Sequence, residues 1–127
     1  MATLKQTLSI NANALTSSTS LSNQILLTEA ITQGGILTEN ITEVVGAPKD
    51  LLLAANYAEG SKVYLKNVGT THNFYVSFEA SGTGGEGAWI YLLPGDWSFF
   101  PWMAAVNLRV YCTNAAGSTL EYGVFEV

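Results

Sequence analysis

The sequence predicts an all-β protein, an antiparallel β-sandwich or jelly roll of about eight strands that forms a single domain over residues 1–127. Short runs rich in β-branched and aromatic residues follow one another along the chain. Clusters of Gly, Asn, Ser and Thr separate these runs at the spacing typical of a sandwich. The pattern shows no strand–helix–strand alternation, and a chain of 127 residues is long enough to bury one core.

The strands are predicted from alternation and residue type. Residues 3–10 come first, and their alternation places Leu4, Leu8 and Ile10 on one face. The later strand runs share β-branched and aromatic residues bounded by turn clusters, and they are residues 61–68, 72–80, 88–93, 97–102, 106–112 and 119–127.

Three segments of the N-terminal half have more than one interpretation. Residues 20–33 and 36–45 have apolar spacing that fits a strand or a helix, and their β-branched composition favours strands. Residues 49–56 fit a buried strand or one short helical turn. Residues 11–20 are small and polar, so residues 1–20 form either an N-terminal arm or the first strand.

The most distinctive segment surrounds the tetrapeptide Leu93-Pro94-Gly95-Asp96. A type II turn is predicted, because Pro94 fixes φ at the second position and Gly95 supplies the positive φ of the third. We expect a hairpin around it. The strands on both sides are apolar on both faces, whereas a half-exposed strand alternates apolar and polar residues. One face therefore packs in the core, and the other needs cover from the N-terminal half, another subunit or a ligand.

Composition restricts the classes of partner. Charged residues make up 12% of the chain, against about 25% in typical globular proteins. Either partner subunits cover part of the uncharged surface, or Ser, Thr, Asn and Gly form it. Five scattered basic residues face ten acidic ones, so we expect binding neither to nucleic acid nor to anionic membranes.

The sequence also predicts where the chain is made. No apolar run approaches the roughly 20 residues of a membrane span, and residues 1–20 lack the continuous apolar core of a secretory signal. Synthesis in the cytoplasm is therefore expected. Cys112 is the single cysteine, so an internal disulfide is ruled out and the thiol is expected to face inward.

No catalytic constellation is indicated. His72 is the single histidine and lies in a predicted turn, where a solvated loop residue is expected. The glycine-rich residues 82–87 lack the Lys and Ser/Thr of a phosphate-binding loop, so a hairpin loop is expected. The ten acidic residues suggest no particular pair. We expect no enzyme, no catalytic residue, no cofactor and no metal site.

The C-terminal half resembles small virion proteins of tailed bacteriophages. The resemblance covers residues 60–127 and is carried by "KNVGTTHNFYVSF", "LLPGDWSFFPW" and the final "LRVYCTNAAGSTLEYGVFEV". In that family a strand after an N-x-G turn leads to a Pro-Gly-acid turn with aromatic residues, and a final hairpin follows. The resemblance implies a structural particle protein, such as a capsid decoration (cement) protein or a small head or tail component. It also implies a homo-oligomer, with a trimer favoured.

The functional prediction is therefore a phage virion structural protein, specifically a capsid decoration protein that stabilises the shell by bridging capsomers. Its expected location is the virion, and its expected partners are the major capsid protein or other virion proteins. Tail, neck or fibre components are the alternatives, as is a carbohydrate-binding β-sandwich with Trp89, Trp97 or Trp102 as stacking platforms. The predicted interface, or its support, consists of Trp97, Phe99, Trp102, Met103, Leu4, Leu8 and Ile10.

Overall fold

A computed structural model provides the structure, which describes residues 2–12, 21–31, 33–79 and 87–126. For residues 2–12, 21–31 and 33 the description covers the backbone, together with the side chains of Lys5 and Thr7. The described strands, in chain order, are β1 (Ala2–Ala12), β2 (Leu21–Ile31), β3 (Gln33–Ile41), β4 (Lys49–Leu52), β5 (Lys62–Asn67), β6 (Phe74–Glu79), β7 (Ala88–Leu92), β8 (Trp97–Pro101), β9 (Asn107–Cys112) and β10 (Ser118–Glu126). One turn of 3-10 helix, Ala54–Asn56, follows β4.

Eight of these strands form two antiparallel four-stranded sheets. Sheet I has the order β3-β10-β5-β8, and sheet II has the order β4-β9-β6-β7. The prediction of an all-β antiparallel sandwich is confirmed. Within β3 to β10, only β6 and β7 are neighbours both along the chain and within a sheet, so the other connections cross between the sheets.

The remaining two strands form a hairpin of their own. β1 and β2 pair antiparallel over eleven residues each, with Leu8 opposite Ile25, and the hairpin pairs with neither four-stranded sheet. The strand interpretation of residues 20–33 is confirmed by β2, and that of residues 36–45 is confirmed by β3 as far as Ile41, after which residues 42–45 are not strand. Residues 49–56 contain both predicted alternatives, because strand β4 is followed directly by the 3-10 turn.

The core lies between sheets I and II, and both sheets contribute to it. In β5 the predicted alternation holds. Val63 and Leu65 are buried, whereas Lys62, Tyr64 and Lys66, which alternate with them, are only partly buried. Cys112 is buried, as predicted. The buried apolar residues of this core are Ile41, Leu52, Val63, Leu65, Phe74, Val76, Leu92, Trp102, Leu108, Val110, Cys112, Leu120 and Val124.

The Pro-Gly turn has the predicted geometry but a different role. Gly95 has φ 88°, and the Asp96 N–H donates to the Leu93 carbonyl over 2.9 Å. The predicted hairpin is nevertheless wrong, because β7 pairs with β6 in sheet II while β8 pairs with β5 in sheet I. The final hairpin expected from the resemblance is wrong for the same reason, since β9 and β10 belong to different sheets. A turn fixes chain reversal locally and leaves open which sheet the next strand joins.

Asn67 holds the end of the sandwich at which this turn lies. The residue is fully buried, and its Nδ2 donates to the carbonyls of His72 (2.9 Å) and Leu92 (3.1 Å). Its Oδ1 accepts from the Gly69 N–H (3.1 Å) and from Ser118 Oγ (3.2 Å). The amide thus uses both donors and both lone pairs of its oxygen.

The backbone of Asn67 secures the same turn. Its N–H donates to the Asp96 carbonyl over 2.9 Å, and its carbonyl accepts from the Gly95 N–H over 2.8 Å. Together with the side-chain bonds, this connects the end of β5 to the start of β6, the end of β7, the β7–β8 turn and the start of β10.

Replacing the buried amide should be costly. Asn67→Leu keeps a similar volume but removes the amide partner of the Ser118 hydroxyl and of the His72 and Leu92 carbonyls, and it leaves the Gly69 N–H with only the Thr119 carbonyl. We expect the free energy of unfolding to fall by about 3 kcal/mol, measured by urea unfolding monitored with Trp fluorescence. The matched control is Asn56→Leu at an exposed position, for which a change below about 0.5 kcal/mol is expected. Equal losses in both variants would contradict a structural role for the amide.

A second prediction concerns the space beside this amide. A Cβ at Gly69 would lie 1.8 Å from Ser118 Oγ, the hydroxyl that donates to Asn67. Gly69→Ala should therefore lower the free energy of unfolding by about 2 kcal/mol. Gly35→Ala serves as control, because an added Cβ there meets no atom within 4 Å. Urea unfolding should show the control unchanged or up to about 1 kcal/mol more stable, and a comparable loss in both variants would refute the steric explanation.

Candidate interaction surfaces

The outer face of sheet I carries apolar or aromatic residues on all four of its strands. Strand register aligns its outward positions in three cross-strand rows. These rows are Ile36–Gly123–Tyr64–Phe99, Thr38–Glu121–Lys66–Trp97 and Gly34–Phe125–Lys62–Pro101. We call the set Ile36, Tyr64, Trp97, Phe99 and Phe125 the sheet I face.

Two glycines make room for an aromatic ring on this face. A Cβ built at Gly34 would lie 2.6 Å from Phe125 Cδ1, and one at Gly123 would lie 3.4 Å from Phe125 Cε2. The ring therefore lies across both glycine positions and fills the space that side chains would take. An aromatic ring beside a glycine in a neighbouring strand covers backbone that would otherwise be exposed.

Exposure differs across the sheet I face. Ile36 and Trp97 are 56% and 54% exposed, whereas Tyr64, Phe99 and Phe125 are half-buried. The exposed Ile36 and Trp97 lie on the two edge strands, β3 and β8, and the half-buried Tyr64 and Phe125 lie on the strands between them. Exposed apolar residues on one face can contact another molecule, which makes the sheet I face a candidate contact surface.

Tyr64 at the centre of the sheet I face is held as a neutral phenol. Its hydroxyl donates to Glu121 Oε1 over 2.8 Å. Partial burial, followed by this hydrogen bond and the charge of Glu121, raises the pKa of Tyr64 to about 12. The Glu121 carboxylate is thereby paired with a neutral hydroxyl.

The predicted interface residues lie in several places. Trp97 and Phe99 both belong to the sheet I face, and Met103, just after β8, is 64% exposed. Trp102 is 4% exposed and packs in the core, with its ring 5.7 Å from that of Tyr57. It therefore supports the surface from beneath and is not part of it, because alternation along β8 turns it inward with Phe100.

The N-terminal part of the interface prediction is not tested by side-chain positions. Leu4, Leu8 and Ile10 belong to β1, and their side chains lie outside the described residues. Their backbones pair with Glu29, Ile25 and Asn23 of β2.

Sequence reasoning missed three members of the sheet I face. Ile36 and Phe125 come from β3 and β10, which pair with each other, and Tyr64 comes from β5 on the other side of β10. The alternation of β5 already marked Tyr64 as outward. Ile36 and Phe125 could have been found only through the β3–β10 register, which the local sequence does not specify.

The outer face of sheet II carries a ladder of tyrosines. Tyr75 of β6 stacks on Tyr111 of β9, with ring centroids 5.0 Å apart, and packs against Tyr91 of β7 at 4.7 Å. Trp89 lies two residues before Tyr91 beside a β-bulge and is 76% exposed. Because the tyrosine rings pack against one another, Tyr75 in the middle has little free ring face to offer a ligand.

The same side of sheet II also holds a compact ion-pair cluster. Arg109 of β9 is buried, and its Nε lies 2.7 Å from Asp50 Oδ1 of β4. Its Nη1 lies 3.8 Å from Glu79 Oε2 of β6, and its Nη2 donates to the Pro48 carbonyl over 3.2 Å. The guanidinium therefore links β4 to β6 across β9, so the role of Arg109 is structural.

The three tryptophans do not form one aromatic platform. Trp89 is on sheet II, Trp97 is on sheet I and Trp102 is in the core. Trp102 therefore cannot offer its ring to a sugar, and the two exposed rings lie on different sheets.

Two clefts among the described residues are lined without a cluster of catalytic or metal-binding side chains. One of about 210 Å³ lies between the edges of β3 and β4 and is lined mainly by Leu37, Leu52, Tyr57, Tyr122 and Val124. It is smaller than the roughly 300–1,000 Å³ of ligand pockets. The other, of about 460 Å³, is a wide groove beside the Pro-Gly turn, lined by Lys66, Asn67, Val68, Gly69, Thr70, Pro94 and Gly95.

Comparison with protein-family models, with curated proteins and with solved structures found no match. Within the described ranges, no three or more His, Cys, Asp or Glu side chains are grouped to hold a metal ion. No helix in the described part of the chain is long and apolar enough to cross a membrane. His72 lies in the β5–β6 loop, as predicted, and is half-buried there.

The Tyr64–Glu121 pair predicts a titration at high pH. The pKa of Tyr64 is raised from 10.0 to about 12 in the folded protein, so the neutral phenol is bound more tightly there than in the unfolded chain. Its contribution to stability is present below pH 10 and is lost as the pH rises through about 12. Ultraviolet phenolate absorption should show a late step near this pH that Tyr64→Phe removes.

Glu121→Gln provides the control for the cause of that shift, because it removes the charge and keeps an oxygen acceptor. The late step should move to lower pH in this variant. A step that stays in place in both variants would show that another tyrosine is responsible.

Proposed function

We propose that the chain is a structural protein of a tailed-bacteriophage virion, and specifically a capsid decoration (cement) protein that bridges neighbouring capsomers. The observation that carries the proposal is the sheet I face, an aromatic patch on the outside of a folded sandwich. The resemblance of residues 60–127 to small virion proteins supports the choice of a virion as its location. The proposed role requires no catalytic residue, cofactor or metal.

The sheet I face has the composition of an interface core. Tyr, Trp and Phe are enriched at the centres of protein interfaces, where they fill pockets and exclude water. Trp97 and Ile36 are the exposed members, and the half-buried Phe99 and Phe125 provide a rigid base beneath a partner. The sheet I face suits contact with a broad protein surface, because its groups are spread over four strands.

The mechanism is mass action. A protein that binds the assembled shell and not its separate parts stabilises the shell by its binding free energy. A specific contact buries about 800 Å² on each partner. If the chain is a homo-oligomer, with a trimer favoured, several such contacts act together and the effective affinity rises by multivalency.

We further propose that the sandwich is a jelly roll. The pairs β3–β10, β4–β9, β5–β8 and β6–β7 are all antiparallel neighbours, and they alternate between the two sheets. This is the pattern of one long hairpin whose two arms roll up together. Jelly rolls occur in viral capsid proteins and in lectins, so the fold supports a virion role by analogy and does not itself identify one.

Binding to particles tests the proposal. Purified chain is mixed with undecorated capsids of the phage that encodes it, and cosedimentation gives the affinity. Trp97→Glu should weaken binding at least about tenfold, because a charge replaces an exposed aromatic anchor. Trp89→Glu is the matched control, since this tryptophan is exposed on sheet II, and its affinity should be unchanged.

Electron microscopy of the same mixtures places the chain on the particle. Density on the capsid surface supports decoration, and density on the tail, neck or fibre overturns decoration in favour of another virion component. If the chain binds no part of the particle, the proposal of a virion protein is wrong.

A further inference from the structure

Strand β3 forms an open edge of sheet I. Its nine residues pair with β10 on one side, and on the other side no described strand pairs with it. Gly34 and Gly35 are exposed, and because glycine has no side chain, this exposure belongs to the main chain itself. The next two residues, Ile36 and Leu37, are 56% and 62% exposed. The backbone groups of this edge are therefore accessible to another strand.

The other edge strands of the two described sheets carry features that oppose strand addition. Short length, proline, lysine and bulges are such features. β8 spans five residues and ends at Pro101, and β4 spans four, with a register shift between Asp50 and Leu52. β7 also spans five residues, and its register against β6 shifts after Val76. β3, in contrast, is nine residues long, contains neither Pro nor Lys, and pairs with β10 in an unbroken register.

A second copy of β3 fits this edge in a symmetric register. When two β3 strands run antiparallel about Leu37, all nine residues of each strand pair, from Gln33 opposite Ile41 to Leu37 opposite itself. Residues of the outer face then lie opposite residues of the outer face, as Ile36 does opposite Thr38. The two copies of sheet I therefore continue each other with their outer faces on the same side.

This register brings no like charges into opposition. Glu39 is the single charged residue of β3, and Gly35 of the second copy lies opposite it. Within its own chain, Glu39 Oε1 accepts from the Lys49 ammonium, and Glu39 Oε2 accepts from the Tyr122 hydroxyl over 3.4 Å. Like charges directly opposite each other destabilise a strand pair. The pairing avoids this penalty even though the chain as a whole has a net charge of −5.

The cleft beside β3 favours the same occupant. Its volume is about 210 Å³, and Leu37, Tyr57 and Tyr122 are among the residues that line it. Leu37 lies opposite Tyr122 in the row that faces the core, yet it is largely exposed because the sheet ends at β3. In the symmetric register the Leu37 side chains of the two copies lie side by side. Each then removes apolar surface of the other from water, which favours association.

We propose that β3 pairs antiparallel with β3 of a second copy of this chain, so that two four-stranded sheets become one of eight strands. Nine residues on each strand provide about eight backbone hydrogen bonds. A contact of this symmetry closes with two copies, so it yields a dimer, and a trimer would need a different contact. The inference does not rest on the virion role, because it concerns the edge of the sheet and a copy of the same chain.

Charges placed at the centre of the contact test it. Leu37→Lys puts two like charges opposite each other, and so does Leu37→Glu. Light scattering coupled to size-exclusion chromatography at micromolar concentration should show a dimer for the wild type and a monomer for each variant, with the dissociation constant raised at least about a hundredfold. An equimolar mixture of the two variants should form a dimer, because opposite charges then face each other. The matched control is Leu93→Lys, which changes an exposed leucine in the turn before β8 and should leave the dimer intact.

A wild-type chain that stays monomeric would overturn the proposal, as would a Leu37→Lys variant that dimerises as well as Leu93→Lys. A mixture of the two Leu37 variants that stays monomeric would overturn the register centred on Leu37. Near-UV circular dichroism checks that each variant is folded.

Hydrogen exchange of the wild-type chain tests the same pairing without a substitution, should the Leu37 variants not fold. The amides of residues 34–38 should exchange more slowly at high protein concentration than at low, because the second copy protects those that β10 leaves free. Exchange that is independent of concentration would refute the pairing. Capsid binding by Trp97→Glu is measured separately, so failure of this proposal and failure of the virion role give different results.

Discussion

The buried amide of Asn67 is the constraint on which the arrangement of the sandwich depends. A β-sandwich whose strands cross repeatedly between sheets must bring its connections together at the ends, where backbone groups leave the sheet ladders. The Asn67 side chain bonds three such backbone groups and the Ser118 hydroxyl at once, and its own backbone fixes the Pro-Gly turn. A buried polar network of this kind is stabilising only when every member has a partner. Gly69 is part of the same solution, because a side chain there would occupy the position of the Ser118 hydroxyl.

The position of this turn determines which residues meet a partner. Because the turn passes from sheet II to sheet I, β7 and β8 contribute their outward residues to opposite sides of the molecule. Trp89 and Trp97 are only eight residues apart, yet they lie on different sheets. The sheet I face therefore gains its aromatic residues from β5, β8 and β10, which are distant in sequence, and the nearby Trp89 does not add to it.

The sequence predicted local features well and long-range pairing poorly, for a physical reason. Residue type and alternation determine whether a segment is extended, so the strands from β5 onward and the geometry around Gly95 were predictable. Which strands pair depends on contacts between distant residues, and a Pro-Gly turn is compatible with a hairpin or a crossing. The same limit applies to the sheet I face. Trp97 and Phe99 could be predicted from the sequence of β8 alone, whereas Ile36 and Phe125 reach the same face only through the β3–β10 register. Trp102 lies beneath the surface, and alternation alone did not show this because it gives parity along β8 without showing which face is buried.

The proposed contact through the sheet I face suits another protein because aromatic groups lie there beside polar ones. The neutral Tyr64 hydroxyl donates to the Glu121 carboxylate, which gives this acidic group a partner within the face. If the chain is a homo-oligomer, each assembly presents several sheet I faces at once. Weak individual contacts with a repetitive surface then combine into firm attachment, and a repetitive surface is what a capsid offers.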